Sequence, residues 1–236
     1  MPVFQLTEDL AFPPVELTEP LGYLAVGGDL SVERLLLAYQ SGIFPWPLDE
    51  HPLVWWAPNP RFVLYPEKLR VTKSLRRIIT KGEFKITYDQ AFPRVIEGCR
   101  LTVRKGQDDT WITSEMMDAY IRLHEAGYAH SVESWIDGEL AGGLYGVSLG
   151  RCFFGESMFT KERDASKCAF VSLVERLKEM GFPLIDCQVE TDHLRSFGAR
   201  EIPRNRFMSE LANALTCETL KGNWGELLAE GQSNPV

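Results

Sequence analysis

The stretch HSVESWIDGELAGGLYGVSLGRCFFGESMF, residues 130–159, decides the fold of this chain. Apolar and aromatic residues dominate it, and turn residues interrupt it at two places. Asp137-Gly138 is a two-residue hairpin signal, and Gly150 marks the next bend. The stretch therefore predicts three consecutive strands that pair antiparallel.

After these strands the chain alternates between helix and strand. ASKCAFVSLVERLKEMG (165–181) predicts an amphipathic helix, PLIDCQVE (183–190) a strand, and NRFMSELANAL (205–215) a final helix. Three antiparallel strands followed by helix, strand and helix are typical of an α+β or mixed α/β domain. Helices pack on a layered sheet in such a domain.

The segments before the three strands are mostly helical. A helix is predicted from about Ser31 to Gln40, and it ends at Gly42. Further on, FKITYD (84–89) alternates like a strand. Two more helices are predicted in FPRVIEGCR (92–100) and SEMMDAYIRLHEAG (114–127).

One compositional break divides the chain. It is the Pro- and Trp-rich stretch GIFPWPLDEHPLVWWAPNPR, residues 42–61, which we expect to form a loop. We expect it to close a small N-terminal α+β domain, residues 1–61, before a larger domain, residues 62–236. Its aromatic side chains either fold over a core or form a stacking surface for a base.

The composition is that of a soluble globular protein. The 236 residues include 25 Lys and Arg against 33 Asp and Glu, a net charge of −8, and 44% are hydrophobic. These values exclude a disordered or fibrous chain, and no run approaches the roughly 18 apolar residues of a membrane span. Because the first basic residue is Arg34, no signal or transit peptide is indicated, and we expect a cytoplasmic protein. The five scattered cysteines predict reduced, mostly buried thiols rather than disulfides or a zinc site.

The net charge hides one basic region. Residues 61–105 contain 12 Lys and Arg and 4 Asp and Glu, or +8, whereas the rest contains 13 and 29, or −16. Within the region, VTKSLRRIITKG predicts a helix over 73–81 with Thr72 as N-cap and Gly82 beyond its end. Its basic residues share one face. They are Lys73, Arg76, Arg77 and Lys81.

A phosphate backbone is the partner that this region favours over a merely solvated face. Further basic residues in the same region support that interpretation. They are Arg61, Lys68, Arg70, Lys85, Arg94, Arg100, Arg104 and Lys105.

Two strands carry candidate chemistry. Alternation in PLIDCQVE places Asp186, Gln188 and Glu190 on one face, opposite an apolar face. In the strand RCFFGESMF, alternation places Glu156 and Met158 on one side and Phe153, Ser157 and Phe159 on the other. A carboxylate in so aromatic a strand must be hydrogen-bonded or functional. The alternative is that Glu156 and Asp186 face solvent or pair with Lys167 and Arg200.

A hydrolase motif also occurs and is set aside. Gly146–Gly150 matches G-x-S-x-G, and Asp186 and His193 follow in the order of an α/β-hydrolase. A nucleophile elbow needs a helix after the turn, whereas a strand is predicted here. We therefore expect a hairpin bend, structural roles for His193 and His130, and a buried core thiol at Cys187.

Seven groups of motifs spread over most of the chain share one further resemblance. They are GYLAVGGDLS with LLLAYQSGIFPW, WWAPNPR, VIEGCR with TWIT, MMDAYIRLHEAGYAHSVESW, GGLYGVSLGRCFFGESMF, LIDCQV, and DHLRSFGAREIPR. Together they resemble the bacterial leucyl/phenylalanyl-tRNA–protein transferases. The resemblance implies a small N-terminal domain followed by an acetyltransferase-like (GNAT-like) domain.

The same resemblance implies an aminoacyltransferase of the N-degron pathway. Such an enzyme moves Leu, Phe or Met from aminoacyl-tRNA to the α-amino group of a protein that begins with Arg or Lys, and so marks that protein for degradation. No cofactor or metal and no membrane partner is implied, and we expect a monomer. The rivals are a CoA-dependent acyltransferase and a non-catalytic tRNA-binding module. TKERDASK (160–167) lacks the Gly-rich pyrophosphate loop that the former would need.

Site residues also follow from the resemblance. Catalytic roles match Asp186, Gln188 and Glu156, and adenosine stacking matches Trp46 and Trp111. The hydrophobic pocket for the transferred amino acid matches Leu144, Phe153, Met158, Phe170 and Leu173. The tRNA-binding surface matches Lys73, Arg76, Arg77, Lys81 and Lys85.

Aminolysis of an aminoacyl ester needs neither ATP nor a metal, so positioning should dominate catalysis. A free α-amino group has a pKa of about 7.7 to 8.0, so roughly a tenth is neutral at pH 7 and modest base assistance suffices. We expect Asp186 to accept the proton or to anchor charge. Gln188 should hold the amine, and Glu156 should orient it or pair with the incoming basic side chain.

Overall fold

The computed structural model describes residues 3–47, 53–102 and 112–230, within which eleven strands and eight α-helices occur. The strands are β1 Phe4–Leu6, β2 Tyr23–Gly27, β3 Phe44–Pro45, β4 Val54–Trp56, β5 Arg61–Leu64, β6 Lys85–Tyr88, β7 Ala129–Ile136, β8 Glu139–Leu149, β9 Cys152–Thr160, β10 Leu184–Gln188 and β11 Arg200–Ile202. The helices are α1 Val32–Gln40, α2 Lys73–Lys81, α3 Phe92–Arg100, α4 Ser114–Glu125, α5 Ala165–Glu179, α6 Asp192–Ser196, α7 Arg204–Leu215 and α8 Trp224–Glu230. Along the described segments no helix is long and apolar enough to cross a membrane.

Two sheets organise the chain and confirm the mixed α/β class. The smaller has four strands in the order β1-β2-β4-β3, and the larger has seven in the order β11-β5-β10-β9-β8-β7-β6. Strands β6 to β9 pair antiparallel in sequence, as predicted for the three strands of 130–159, and β10 then pairs parallel with β9 after the crossover helix α5. Helices α1, α3, α4 and α7 cover one face of the large sheet, while α2 and α5 cover the other.

The predicted hairpin turns are confirmed. Asp137 and Gly138 have φ values of 50° and 82°, the left-handed pair that a tight two-residue hairpin turn requires. Gly150, with φ 55°, links β8 to β9. The G-x-S-x-G string therefore lies in a strand and a bend, without the following helix of a nucleophile elbow.

The alternation predicted for β9 is wrong beyond Glu156. Tyr145 of β8 pairs with Ser157 and the next residue, Gly146, pairs with Gly155, so Glu156 is an extra residue in a β-bulge. A bulge shifts the side-chain period by one. Met158 consequently packs in the same core as Phe153, and Phe159 packs in the core of Phe154.

Two further expectations are corrected. The Pro- and Trp-rich stretch is not a loop throughout, because Val54–Trp56 pairs with β2 and β3 and Trp55 is buried. Helix α7 is not the final one, because α8 follows it. The Trp224 backbone N–H donates to Asp89 Oδ2 at 2.7 Å, and its indole stacks on His130 at 3.9 Å, which holds the start of α8 on the sheet.

Strands β9 and β10 are paired only where they begin. Their register runs from Leu184 with Cys152 to Asp186 with Phe154, and no pairing continues beyond it in the part of the chain that the structure describes. The two strands therefore diverge toward α5 and α6. The opening between them is where polar and apolar candidate residues meet.

Candidate active site

A cavity of about 650 Å³ occupies the opening between β9, β10 and helix α5. Its wall includes all five residues expected in the amino-acid pocket, namely Leu144, Phe153, Met158, Phe170 and Leu173. The β9 bulge is what allows Phe153 and Met158 to face the same space. An apolar cavity of this size can hold a single aliphatic or aromatic side chain together with the group to which that side chain is attached.

Glu156 projects from the bulge into a cluster of hydrogen-bond donors at the cavity wall. Tyr39 Oη donates to Oε1 at 2.8 Å, Tyr120 Oη donates to Oε2 at 2.8 Å, and Gln188 Nε2 donates to Oε1 at 2.7 Å. The two phenol oxygens lie 2.5 Å apart. Helices α1 and α4 and strand β10 thus converge on one carboxylate.

Burial and hydrogen bonding act on the Glu156 carboxyl in opposite directions. Desolvation raises its pKa to about 7, against the lowering effect of the bonds from Tyr39, Tyr120 and Gln188. Burial also raises the pKa values of both tyrosines well above 10, with the charge of Glu156 adding to the effect. The phenols therefore remain donors, and Glu156 can gain or lose a proton near neutral pH.

Asp186 lies on the neighbouring strand in a closed environment. Its Oδ1 and Oδ2 accept from Arg61 Nε at 2.8 Å and Arg61 Nη2 at 2.6 Å, and both side chains are at most 1% exposed. The Gln188 backbone N–H donates to the same Oδ1 at 2.9 Å. The guanidinium stacks between the rings of Phe44 and Phe207, at 4.7 and 4.6 Å.

This ion pair corrects two expectations. Arg61 does not belong to the basic surface, because it is buried and neutralised by Asp186. Neither Lys167 nor Arg200 pairs with Asp186: Lys167 Nζ lies 2.6 Å from Asp164, and Arg200 stacks on Tyr65. The sequence could not show that Arg61 pairs with Asp186, because β5 and β10 are more than a hundred residues apart.

Gln188 links the two carboxylates. It has φ 62°, an uncommon conformation for a residue with a side chain, and the register of β10 against β5 shifts between Asp186 and Gln188. Its backbone is held by Asp186 and its side-chain amide by Glu156. The strained residue is therefore fixed from both ends, which is typical of a functional position.

The other residues that sequence singled out are placed as follows. Trp46 and His193 line the cavity, whereas Trp111 lies outside the described residues. Burial raises the pKa of the Cys187 thiol, so it stays protonated as a core residue should. His130 is buried, and its Nδ1 lies 2.8 Å from Asp89 Oδ2, which fits the structural role predicted for it.

The basic helix α2 has the predicted caps and faces. Thr72 Oγ1 accepts the Leu75 N–H, and Gly82 ends the helix with φ 65°. The basic ridge, which we define as Lys73, Arg76, Arg77, Lys81 and Lys85, is solvent-exposed. On the opposite face, Leu75, Ile78 and Ile79 join the core that includes α5.

Sequence reasoning missed Tyr39 and Tyr120 and misplaced Arg61. Each had a weak signal: an amphipathic helix carried a tyrosine on its apolar side, and an arginine opened the apolar strand RFVL. Such polar groups in apolar settings predict a buried partner. They do not say which one.

One protein family and many curated proteins are similar in sequence to most of this chain. The family described as leucyl/phenylalanyl-tRNA protein transferase matches residues 63–212, and the N-terminal domain of the same family matches residues 28–59. A leucyl/phenylalanyl-tRNA–protein transferase of Syntrophobacter fumaroxidans is 60% identical over 212 residues, which are 90% of this chain and 91% of that protein. One of Myxococcus xanthus is 56% identical over 228 residues, which are 96% of this chain and 97% of that protein.

A solved structure is similar only remotely. The structure of L-PGS from Bacillus licheniformis has a TM-score of 0.38 and 11% identity, covering 81% of this chain and 63% of that one.

Proposed function

The chain belongs to the leucyl/phenylalanyl-tRNA protein transferase family, and from that premise we propose its substrates and the roles of its residues. The protein is an aminoacyltransferase that moves Leu or Phe from tRNA to a protein, an activity of the N-degron pathway. We propose that Met is a third donor residue and that the acceptor is an α-amino group on an N-terminal Arg or Lys. The observation that carries these roles is the Glu156 cluster at the wall of an apolar cavity.

The cavity accounts for the donor residues. Leu, Phe and Met have no branch at Cβ, and each can extend into a pocket walled by Leu144, Phe153, Met158, Phe170 and Leu173. Discrimination among them should be modest, because one methylene in an apolar pocket is worth about 1 to 3 kcal/mol. Charged side chains would have to lose their hydration on entry, so they should be excluded.

The reaction needs one proton to move. The acceptor amine attacks the ester carbonyl carbon, the new C–N bond becomes the peptide bond, and the C–O bond to the ribose breaks. The proton that the amine loses ends on the ribose hydroxyl of the freed tRNA. Holding amine and ester together supplies most of the rate, with general-base assistance for the proton.

Glu156 is the group that fits the base. Its pKa of about 7 lies near neutral pH, and its side chain lines the cavity. Asp186 is held in a bidentate pair with the buried Arg61 and does not line the cavity, so it acts as a positioning residue that fixes Gln188 through the Gln188 backbone N–H. Because Gln188 Nε2 is committed to Glu156, its amide oxygen is the atom that can hold the incoming amine.

The donor tRNA needs a surface outside the cavity. We assign its terminal adenosine to stacking on Trp46 and Trp111, and its phosphate backbone to the basic ridge. Because the remainder of the chain is acidic, these contacts should be local and should weaken steeply with salt.

The organisation of the chain follows the same assignment. We propose an N-terminal domain over 1–61 and a GNAT-like domain over 62–236, supported by a four-stranded sheet that ends at Trp56 and a seven-stranded sheet whose first strand starts at Arg61. The net charge of −8 supports a monomer. Because its donor is aminoacyl-tRNA, we propose that the protein acts in the cytoplasm and has no membrane partner.

The test is transfer of a labelled amino acid. Purified protein is incubated with radiolabelled Leu-tRNA or Phe-tRNA and with peptides that differ only in their first residue, Arg, Lys or Ala. We expect label in the Arg and Lys peptides, none in the Ala peptide and none in an N-acetylated Arg peptide, because acetylation removes the nucleophile.

Other outcomes point elsewhere. Salt-sensitive tRNA binding without transfer would indicate a non-catalytic binding module. Acetylation of the peptides with acetyl-CoA, in the absence of tRNA, would indicate a CoA-dependent acyltransferase.

A further inference from the structure

The cavity wall changes character where β9 gives way to α5. Most of the wall is apolar, but the mouth carries two basic side chains and an imidazole, Arg163, Lys167 and His193. Arg163 is 96% exposed and Lys167 43% exposed. None of the three is used by the amino-acid pocket or by the Glu156 cluster.

The mouth and the basic ridge are neighbours. Helix α2 packs on α5 through its apolar face. Arg163 and Lys167 lie just before and within the first turn of α5, so these mouth residues and the ridge are carried by helices that pack against each other.

Each of the three groups has donors to spare for a ligand. Asp164 engages both neighbours, with Lys167 Nζ at 2.6 Å and Arg163 Nε at 3.5 Å, but an ammonium has three donors and a guanidinium five. His193 Nε2 is buried and makes no hydrogen bond with any described residue. Burial, together with the charge of Lys167, lowers the pKa of His193, so the imidazole is a neutral hydrogen-bonding group.

We propose that Arg163, Lys167 and His193 bind the backbone phosphates at the single-stranded 3′ end of the donor, between the basic ridge and the amino-acid pocket. This inference rests on the proposed function. An ester bound in the pocket must be joined by a phosphodiester chain to nucleotides held on the ridge. In a protein of net charge −8, that polyanion needs cations along its whole path.

The experiment compares two donors that carry the same ester. One is Phe-tRNA, and the other is the phenylalanyl ester of adenosine, which has no phosphate. For Lys167→Gln and for Arg163→Gln, we expect the KM for Phe-tRNA to rise about tenfold, the loss of one charge-assisted contact. The slope of log KM against log salt should fall by about 0.7 per charge removed. Transfer from the adenosine ester, and the KM for the acceptor peptide, should stay unchanged.

The matched control is Lys178→Gln, which removes the same charge from the far end of α5, where Lys178 pairs with Glu67. It should leave both donors unaffected. An equal loss of transfer from both donors would overturn the inference, because Lys167 would then shape the pocket. Equal KM values for Phe-tRNA in variant and wild type would also overturn it. Failure of the wild type to use either donor would instead contradict the proposed function.

Discussion

Two carboxylates on adjacent strands, Asp186 and Glu156, show how the same side-chain chemistry is given different work. The Asp186 region is closed: an arginine neutralises Asp186, two aromatic rings cover that arginine, and neither charged side chain lines the cavity. The Glu156 region opens on the cavity, and its partners are neutral phenols and an amide. Asp186 therefore holds other side chains in place, whereas Glu156, buried among neutral donors, has a pKa of about 7 and can exchange a proton.

Breaking the closed region should have the largest effect. Arg61→Leu leaves Asp186 buried without its counter-charge, which should lower the free energy of unfolding by about 3 to 5 kcal/mol. Urea denaturation measures this loss. Arg200→Leu is the control, since Arg200 is exposed and should change stability by about 0.5 kcal/mol or less.

The double variant Arg61→Leu/Asp186→Leu makes the same test sharper. It removes both charges, so it should recover part of the lost stability. A double variant less stable than Arg61→Leu alone would contradict the view that the pair acts through charge neutralisation.

The contribution of Glu156 to the free energy of unfolding should change with pH in the opposite sense to that of an ordinary ion-paired carboxylate. The pKa of Glu156 is raised from 4.5 to about 7, so the folded protein favours the protonated form. That contribution to stability is complete below the ordinary pKa and is lost as pH rises through 7. Relative to Glu156→Gln, the wild type should lose on the order of 2 to 3 kcal/mol of unfolding free energy between pH 5 and 8. Equal pH dependence in the two proteins, measured by urea denaturation, would contradict it.

The sequence predicts features that depend on neighbouring residues better than features that depend on residues far apart in the chain. Helix α2, with both caps, and the hairpins of 130–159 follow from local periodicity and turn residues, and the structure has them as predicted. The bulge at Glu156 could not be predicted from the sequence, because a single extra residue does not change the composition of the strand. It nevertheless moves every later side chain of β9 to the opposite face of the sheet.

Partners that are distant in the chain were also beyond reach. Glu156 meets Tyr39 across 117 residues, and Asp186 meets Arg61 across 125. Sequence gave reason to expect a partner for each carboxylate, because burying one unpaired is costly. Which partner each has, and therefore which of the two is scaffold, depends on how the elements pack.

Enlarging the cavity should alter donor choice without touching either carboxylate. Leu173→Ala removes side-chain volume from the cavity wall, so the ratio of kcat/KM for Phe-tRNA over Leu-tRNA should rise about tenfold. Leu177→Ala, a buried position of the same helix outside the cavity wall, is the control. It should cost similar stability but leave the ratio unchanged, and an equal change in both variants would argue against the pocket assignment.

The smallest effect is expected from trimming the phenols. Tyr120→Phe removes one of the hydrogen bonds that lower the pKa of Glu156, so the acid limb of the transfer rate should move upward by about one pH unit. Tyr88→Phe loses a phenol that contacts Ser172 instead, and it should leave the limb in place. A downward shift in Tyr120→Phe would show that the phenol does not stabilise the ionised form.

The most direct test of the central claim, that Glu156 is the base and Asp186 its scaffold, is the pH dependence of single-turnover transfer in wild type and Glu156→Gln. Two groups must lose a proton in the wild type, Glu156 with a pKa of about 7 and the acceptor amine. Below pH 7 the log of the wild-type rate should therefore rise with pH with a slope approaching about 2. The log of the Glu156→Gln rate should rise with a slope of about 1, and that rate should be lower than the wild-type rate by up to about 10²-fold. A Glu156→Gln enzyme that kept the wild-type slope and rate would contradict the account.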